Sequence, residues 1–185
     1  MIIDIDRMLQ MDLKDEVFII ETDTVYGIGC LYNSSVGAQR ILDIKERSKN
    51  KFFSLLISNM DQAKELTIDL DSKKALLDKY WPGDVTFILK KSDKVKDYIS
   101  KEETVGIRMP NCDKTLSALE RFGPMIMTSL NKSGEPPIIK FSDALRFESM
   151  VDFIVKGEDK TGIPSTVYDA INDKDLRQGS TRIIK

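Results

Sequence analysis

Histidine is absent from the 185 residues. With it go the commonest general base and every serine or cysteine triad that depends on imidazole. Only two cysteines occur, Cys30 and Cys112, far apart in the chain. No zinc-ligand spacing exists, and both read as buried free thiols. Neither G-x-x-x-x-G-K-S/T nor G-x-G-x-x-G is present, which leaves out the standard mononucleotide and dinucleotide sites. There is no internal repeat and no low-complexity tract. The first twenty residues hold Asp4, Asp6, Asp12, Asp15 and Glu16 among their apolar positions, the mark of neither a signal peptide nor a membrane span, so a cytoplasmic location is expected. An excess of one charge is missing too: 28 basic residues face 30 acidic ones, for a net charge of −2. A strongly basic nucleic-acid binder is excluded, and an RNA partner would need a local patch. Any chemistry must therefore run on hydroxyls, carboxylates, cations or a metal.

What is present suits one soluble globular domain over residues 1–185, with 41% hydrophobic and 31% charged residues. Apolar runs of strand length alternate with helical patterns, which predicts a layered α/β fold. A strand from Val17 ends in ETDTVYGIGC. If residues 17–25 stay extended, Thr22, Thr24 and Tyr26 share one face, with Asp23 and Val25 on the other. Residues 36–47 read as a helix with Val36, Ile41, Leu42 and Ile44 on its apolar stripe, and 52–57 as a buried strand. Asp69 or Asp71 can cap a helix through Tyr80, stopped by Pro82-Gly83 before a strand at 85–89. A strand at 104–110 precedes a helix that starts at Asn111 or Asp113 and stops at Gly123. Strands at 125–127 and 151–155 flank a helix capped by Ser142. The short connection between residues 90 and 104 suggests some antiparallel pairing, so the sheet is expected to be mixed.

Hydroxyl clusters recur at three strand ends: Thr22 and Thr24; Thr128, Ser129 and Asn131; Ser165 and Thr166. Arg47, Arg108 and Arg177 sit in or beside short strands and loops. Hydroxyls donate to anionic oxygens, and the arginine fork meets such oxygens two at a time, so the set suits a triphosphate or a carboxylate. The densest basic run is KERSKNK, with Lys45, Arg47, Lys49 and Lys51 against Glu46. Such a run also suits a solvated helix end, and a strand arginine such as Arg108 also suits a structural ion pair.

Read in order, TDTVYGIG (22–29), KERSKNK with FFSLLI (45–57), WPGDVTFIL (81–89), VGIRMP (105–110) with TSLNKSG (128–134), and PSTVYD with LRQG (164–179) resemble the YrdC/Sua5 family. The resemblance covers nearly the whole chain. It implies an α+β, YrdC/RibB-like three-layer fold: a twisted mixed sheet with helices on both faces and a central basic cavity. It implies synthesis of threonylcarbamoyl-AMP from L-threonine, bicarbonate and ATP, with Mg2+, for the t6A modification of tRNA. By position, Lys45 and Arg47 resemble the catalytic pair at the ATP phosphates. Lys51, Thr104, Ser129, Asn131 and Arg177 match the rest of the ATP site, and Thr24, Arg108 and Ser165 the threonine site.

The pattern is not complete. Glu21 replaces a proline usual before the first motif, Phe52 a Pro or Gly, and Leu130 the alanine of S-A-N. A histidine that some relatives place after the basic run has no counterpart. Ending near Lys185, the chain looks like the short form, without the C-terminal Sua5 domain, and such forms work with partner proteins of tRNA modification. Two alternatives stay open: a YciO-like paralogue with a different reaction, and an RNA-binding module on the same fold with weak affinity for double-stranded RNA or tRNA.

Overall fold

The computed structural model describes residues 1–46 and 53–184. Arg47, Lys51 and Phe52 therefore lie outside the described residues. The chain begins with strand β1 (Ile2–Ile3) and helix α1 (Ile5–Leu9), then the hairpin β2 (Phe18–Glu21) and β3 (Tyr26–Leu31). Helix α2 (Ser35–Ile44) is capped by the Ser34 hydroxyl, which accepts from Gly37 N at 2.9 Å. Next come β4 (Ser54–Leu56), α3 (Met60–Leu66), a 3-10 turn over Leu70–Lys73, α4 (Lys74–Tyr80), β5 (Val85–Lys90) and β6 (Thr104–Arg108). The chain continues with α5 (Asp113–Phe122), β7 (Met125–Ser129), α6 (Phe141–Ala144), a second 3-10 turn (Leu145–Met150), β8 (Phe153–Val155), β9 (Thr166–Asp169) and β10 (Lys174–Arg177).

All ten described strands form one sheet, in the order β1-β8-β2-β3-β7-β4-β6-β5-β9-β10. Parallel pairs (β1/β8, β8/β2, β4/β6, β5/β9) mix with antiparallel ones, and β5/β6 is antiparallel, in line with the short connection between them. Strand alternation splits the core in two. Val17, Ile19, Ile28, Leu55 and Phe87 face one side, where Ile41 of α2, Ala63 of α3, Leu77 of α4 and Ala144 of α6 cover them. Phe18, Ile20, Met125, Met127 and Phe153 face the other, against Met8 of α1 and Ala118 and Leu119 of α5. The result is the three-layer fold with helices on both faces.

Several local expectations are corrected. Residues 22–25 are not extended: they turn, and Glu21 pairs directly with Tyr26. Helix α2 ends at Ile44, and Val36 is 54% exposed at its first turn. Neither Asp69 nor Asp71 caps a helix with its side chain; Asp69 instead takes a left-handed conformation at φ 59° before the 3-10 turn. Ser142 lies inside α6, whose N-cap is Lys140. The edge strands β1 and β10 and the helices α1 and α3 carry too little periodicity to stand out in the sequence.

Candidate active site

A cavity of about 390 Å³ opens on the sheet face that α1 and α5 leave bare. Register explains its floor. Gly27 pairs with Ser129, Ser54 with both Met127 and Gly106, Leu56 with Arg108, and Thr86 with Val167. Paired residues point to the same face, so these side chains from six strands converge. All of them except Gly106 line the cavity.

At one wall, the 22–25 turn is closed by a side chain rather than a glycine. The Thr22 hydroxyl donates to Val25 O at 2.7 Å and accepts from the amides of Thr24 (3.2 Å) and Val25 (3.3 Å). Thr24 is then left facing the cavity, its hydroxyl 3.1 Å from that of Thr22. Arg108 donates from Nη1 to Thr24 Oγ1 (3.2 Å), from Nε to Gly83 O (2.9 Å) and from Nη2 to the Asp23 carboxylate. Three of its five N–H groups are thus committed and the guanidinium is fixed, with two donors left over. The ion-pair reading of Arg108 holds, and the same residue also lines the cavity. Asp23 carried no signal in the sequence beyond its place between two threonines.

Across the cavity, the Ser129 hydroxyl donates to Asn131 Oδ1 at 2.6 Å, and Asn131 Nδ2 donates to the carbonyls of Lys132 and Glu135, each at 2.8 Å. Lys45 supports this corner from behind. The residue is 4% exposed, and its ammonium donates to Ser129 O, to Asn131 O (2.8 Å) and to Asn131 Oδ1 (3.1 Å). Lys45 does not line the cavity.

On the third side, Ser165 shares a 3.0 Å hydrogen bond with Thr86 Oγ1 and receives Arg177, whose Nη2 and Nε reach Ser165 O at 2.8 and 3.0 Å and whose Nη2 reaches Ser165 Oγ at 3.1 Å. Desolvation and the nearby charge of Arg108 push the pKa of Arg177 below its ordinary value. Two permanent cations therefore face one space, the arrangement that favours an anion. The structure thus brings Thr24, Arg108, Ser129, Asn131, Ser165 and Arg177 together. Thr104 stands apart, at the far end of β6 opposite Lys90.

The glycines of YGIG have a packing reason. A Cβ on Gly29 would come within 2.7 Å of Ile126 O and 2.6 Å of Met127 Cε, and one on Gly27 within 2.5 Å of Met127 Sδ. Met127 lies across β3 in the space those side chains would take.

The Sua5/YciO/YrdC family model, described as telomere recombination, matches residues 11–179. The chain belongs to this family. A threonylcarbamoyl-AMP synthase of Coxiella burnetii is 35% identical over 168 residues, 87% of this chain and 89% of that protein. Among solved structures, Sua5 of P. abyssi in complex with L-threonine superposes with a TM-score of 0.89 at 26% identity, covering 97% of this chain; the chain spans only 57% of that protein's length. YciO of E. coli superposes with a TM-score of 0.84, also at 26% identity, with 96% of this chain and 90% of that one covered. Among the described residues no helix is long and apolar enough to cross a membrane.

Proposed function

We propose that this protein is a threonylcarbamoyl-AMP synthase that joins L-threonine, bicarbonate and ATP for the t6A modification of tRNA in the cytoplasm. The observation that carries the reading is the meeting of Arg108 and Arg177 with hydroxyls from three strand ends around one cavity. It is supported by the names of the relatives and by the L-threonine in the Sua5 neighbour.

In this reading the two spare donors of Arg108 take the threonine carboxylate, beside Thr24 and Ser165. Arg177, Ser129 and Asn131 meet ATP. The threonine amine takes up carbon dioxide from bicarbonate, with loss of water, to give a carbamate. A carbamate oxygen then attacks the α-phosphorus and pyrophosphate leaves. That step requires aligned anions and neutralised charge more than proton transfer, so a site without histidine is adequate. Lys45 acts here by holding the 129–131 corner, to whose carbonyls and amide oxygen its ammonium donates. The phosphate-facing role falls to Arg177 and, by position, to Arg47 and Lys51. Among the described residues no group of three His, Cys, Asp or Glu side chains could hold a metal. Mg2+ enters with the triphosphate, whose oxygens and bound waters supply most of its ligands.

A second reading is a YciO-like paralogue with another reaction, supported by the TM-score of 0.84 to YciO of E. coli. The two are separated by assaying threonylcarbamoyl-AMP by mass spectrometry with each of threonine, bicarbonate and ATP omitted in turn. Product that depends on all three supports the synthase; ATP turnover without that product favours the paralogue. Salt-sensitive RNA binding without ATP turnover would favour the RNA-binding module instead. Partner proteins of tRNA modification, and weak tRNA contact, belong to the steps after release of the product.

A further inference from the structure

We infer that Asp84 is a positioning residue for nucleotide binding, acting by latching the C-terminal tail so that Arg177 stays aimed into the cavity. This rests on the proposed assignment of Arg177 to ATP.

Asp84 does not line the cavity, yet both of its carboxylate oxygens are taken by the tail: Oδ1 accepts from Thr181 Oγ1 at 2.5 Å and Oδ2 accepts from Ser180 Oγ. Burial opposes the charged form, but those two hydroxyls and the nearby charge of Arg108 outweigh it and hold the Asp84 carboxyl below its ordinary pKa. Hydrogen bonds to a carboxylate are the strong kind. They fasten residues 180 and 181 to the start of β5, nearly a hundred positions earlier in the chain.

The tail is drawn tight between this latch and Arg177. Gly179 N donates to Thr166 Oγ1 at 2.9 Å, and Thr166 Oγ1 in turn donates to Thr181 O at 2.5 Å. Gly179 lies so close to the 164–166 backbone that a Cβ would sit 2.5 Å from Thr166 N and 2.8 Å from Ser165 C. Two residues earlier, Arg177 grips the Ser165 carbonyl with both Nε and Nη2. The backbone of Asp84 joins the same layer, since its carbonyl accepts from Thr166 N at 2.9 Å. Arg177 lies on the exposed edge strand β10, and beyond it the chain is held near the cavity by these contacts. Without the Asp84 carboxylate, residues 178–181 lose the pair of charge-assisted bonds that sets their path. Arg177 then shares its time between the cavity and solvent.

The test measures binding and turnover in the full-length protein. Isothermal titration with ATP and, separately, with L-threonine is run for the wild type, Asp84→Ala, Asp84→Asn and Thr181→Val, alongside KM and kcat for threonylcarbamoyl-AMP formation. For Asp84→Ala the expected result is roughly a tenfold weakening for ATP, on the scale of one or two lost charge-assisted bonds, with threonine affinity changed less than twofold. Asp84→Asn, which keeps one acceptor oxygen, falls between. Thr181→Val shifts ATP in the same direction and serves where Asp84→Ala does not fold. Hydrogen exchange over 178–184 should rise in both. Wild-type ATP binding with unchanged ATP affinity in Asp84→Ala and Thr181→Val overturns the latch. So does an equal loss for both ligands, which marks a merely structural role. A wild type that binds no ATP refutes the proposed function itself, a separate result.

Discussion

Replacing Asp23 by alanine isolates what fixes Arg108 at the wall of the cavity. The Arg108 and Asp23 side chains are 7% and 14% exposed and paired with each other. Removing one partner of such a pair leaves a buried charge, which costs about 3–5 kcal/mol in fully enclosed sites. Arg108 keeps Gly83 O and Thr24 Oγ1 and borders a cavity open to water. The expected loss for Asp23→Ala is therefore about 2–3 kcal/mol, the scale of one hydrogen bond to a charged group plus partial desolvation. For a chain of this size that is a fall in Tm of about 4–12 °C. The decisive form is a double-mutant cycle with Arg108→Met, read by urea unfolding. Once the guanidinium is gone the carboxylate has nothing to neutralise, so the double variant should cost at least about 1 kcal/mol less than the sum of the singles. Additivity within about 0.5 kcal/mol would refute the view that Asp23 exists to hold Arg108.

Gly29→Ala puts a methyl against a backbone carbonyl of β7 and should lose about 1–3 kcal/mol by thermal melting. Gly27→Ala meets mainly the movable end of Met127 and should lose less. Glu21 is buried, and although burial opposes its charge, hydrogen bonds from Lys114, Lys160 and the Glu158 amide hold its pKa below the ordinary 4.5. With the folded pKa depressed, the unfolded chain binds the extra proton, so Glu21 contributes stability above pH 4.5 that is lost as the pH falls through the lower folded value. Glu21→Gln should therefore flatten the stability profile in that acid window. Burial pushes the Cys30 thiol up to about 12, while Cys112 is only partly buried, so a thiol reagent at pH 8 should label no more than one cysteine per folded chain and both after unfolding.

The parts of the site that could be read in the sequence are those whose chemistry is local. Ser129 and Asn131 sit where the apolar strand β7 runs out into hydroxyls, and an α/β sheet binds ligands at such ends, while Ser165 stands beside a glycine-proline turn at the start of β9. The 22–25 turn was hidden because its closing element is the Thr22 hydroxyl, not the glycine or asparagine that marks a hairpin. The direction of Lys45 was hidden for another reason. A lysine in a basic run reads as facing phosphate, but its acceptors lie 84 and 86 positions away, and only the completed sheet brings them within reach. Asp84 and the tail are separated by 96 and 97 positions and leave no pattern in either segment.

Those distant pairings also resolve an apparent conflict between a net charge of −2 and a site built for anions. The acids near the cavity are spent on placement. Asp23 fixes Arg108, Asp84 pins the tail that carries Arg177, and Glu21 anchors Lys114 and Lys160 behind the hairpin. Among the described lining residues only Glu135 brings a carboxylate to the cavity itself, against two guanidiniums. Carboxylates are thus kept mainly to the supporting layer while two guanidiniums reach the cavity, and the proposed anionic ligand would meet the potential of those cations. Because arginine keeps its proton at any physiological pH, that potential does not depend on a titrating group. Such a potential suits the proposed transfer between anions, which asks for neutralised charge more than for a histidine base.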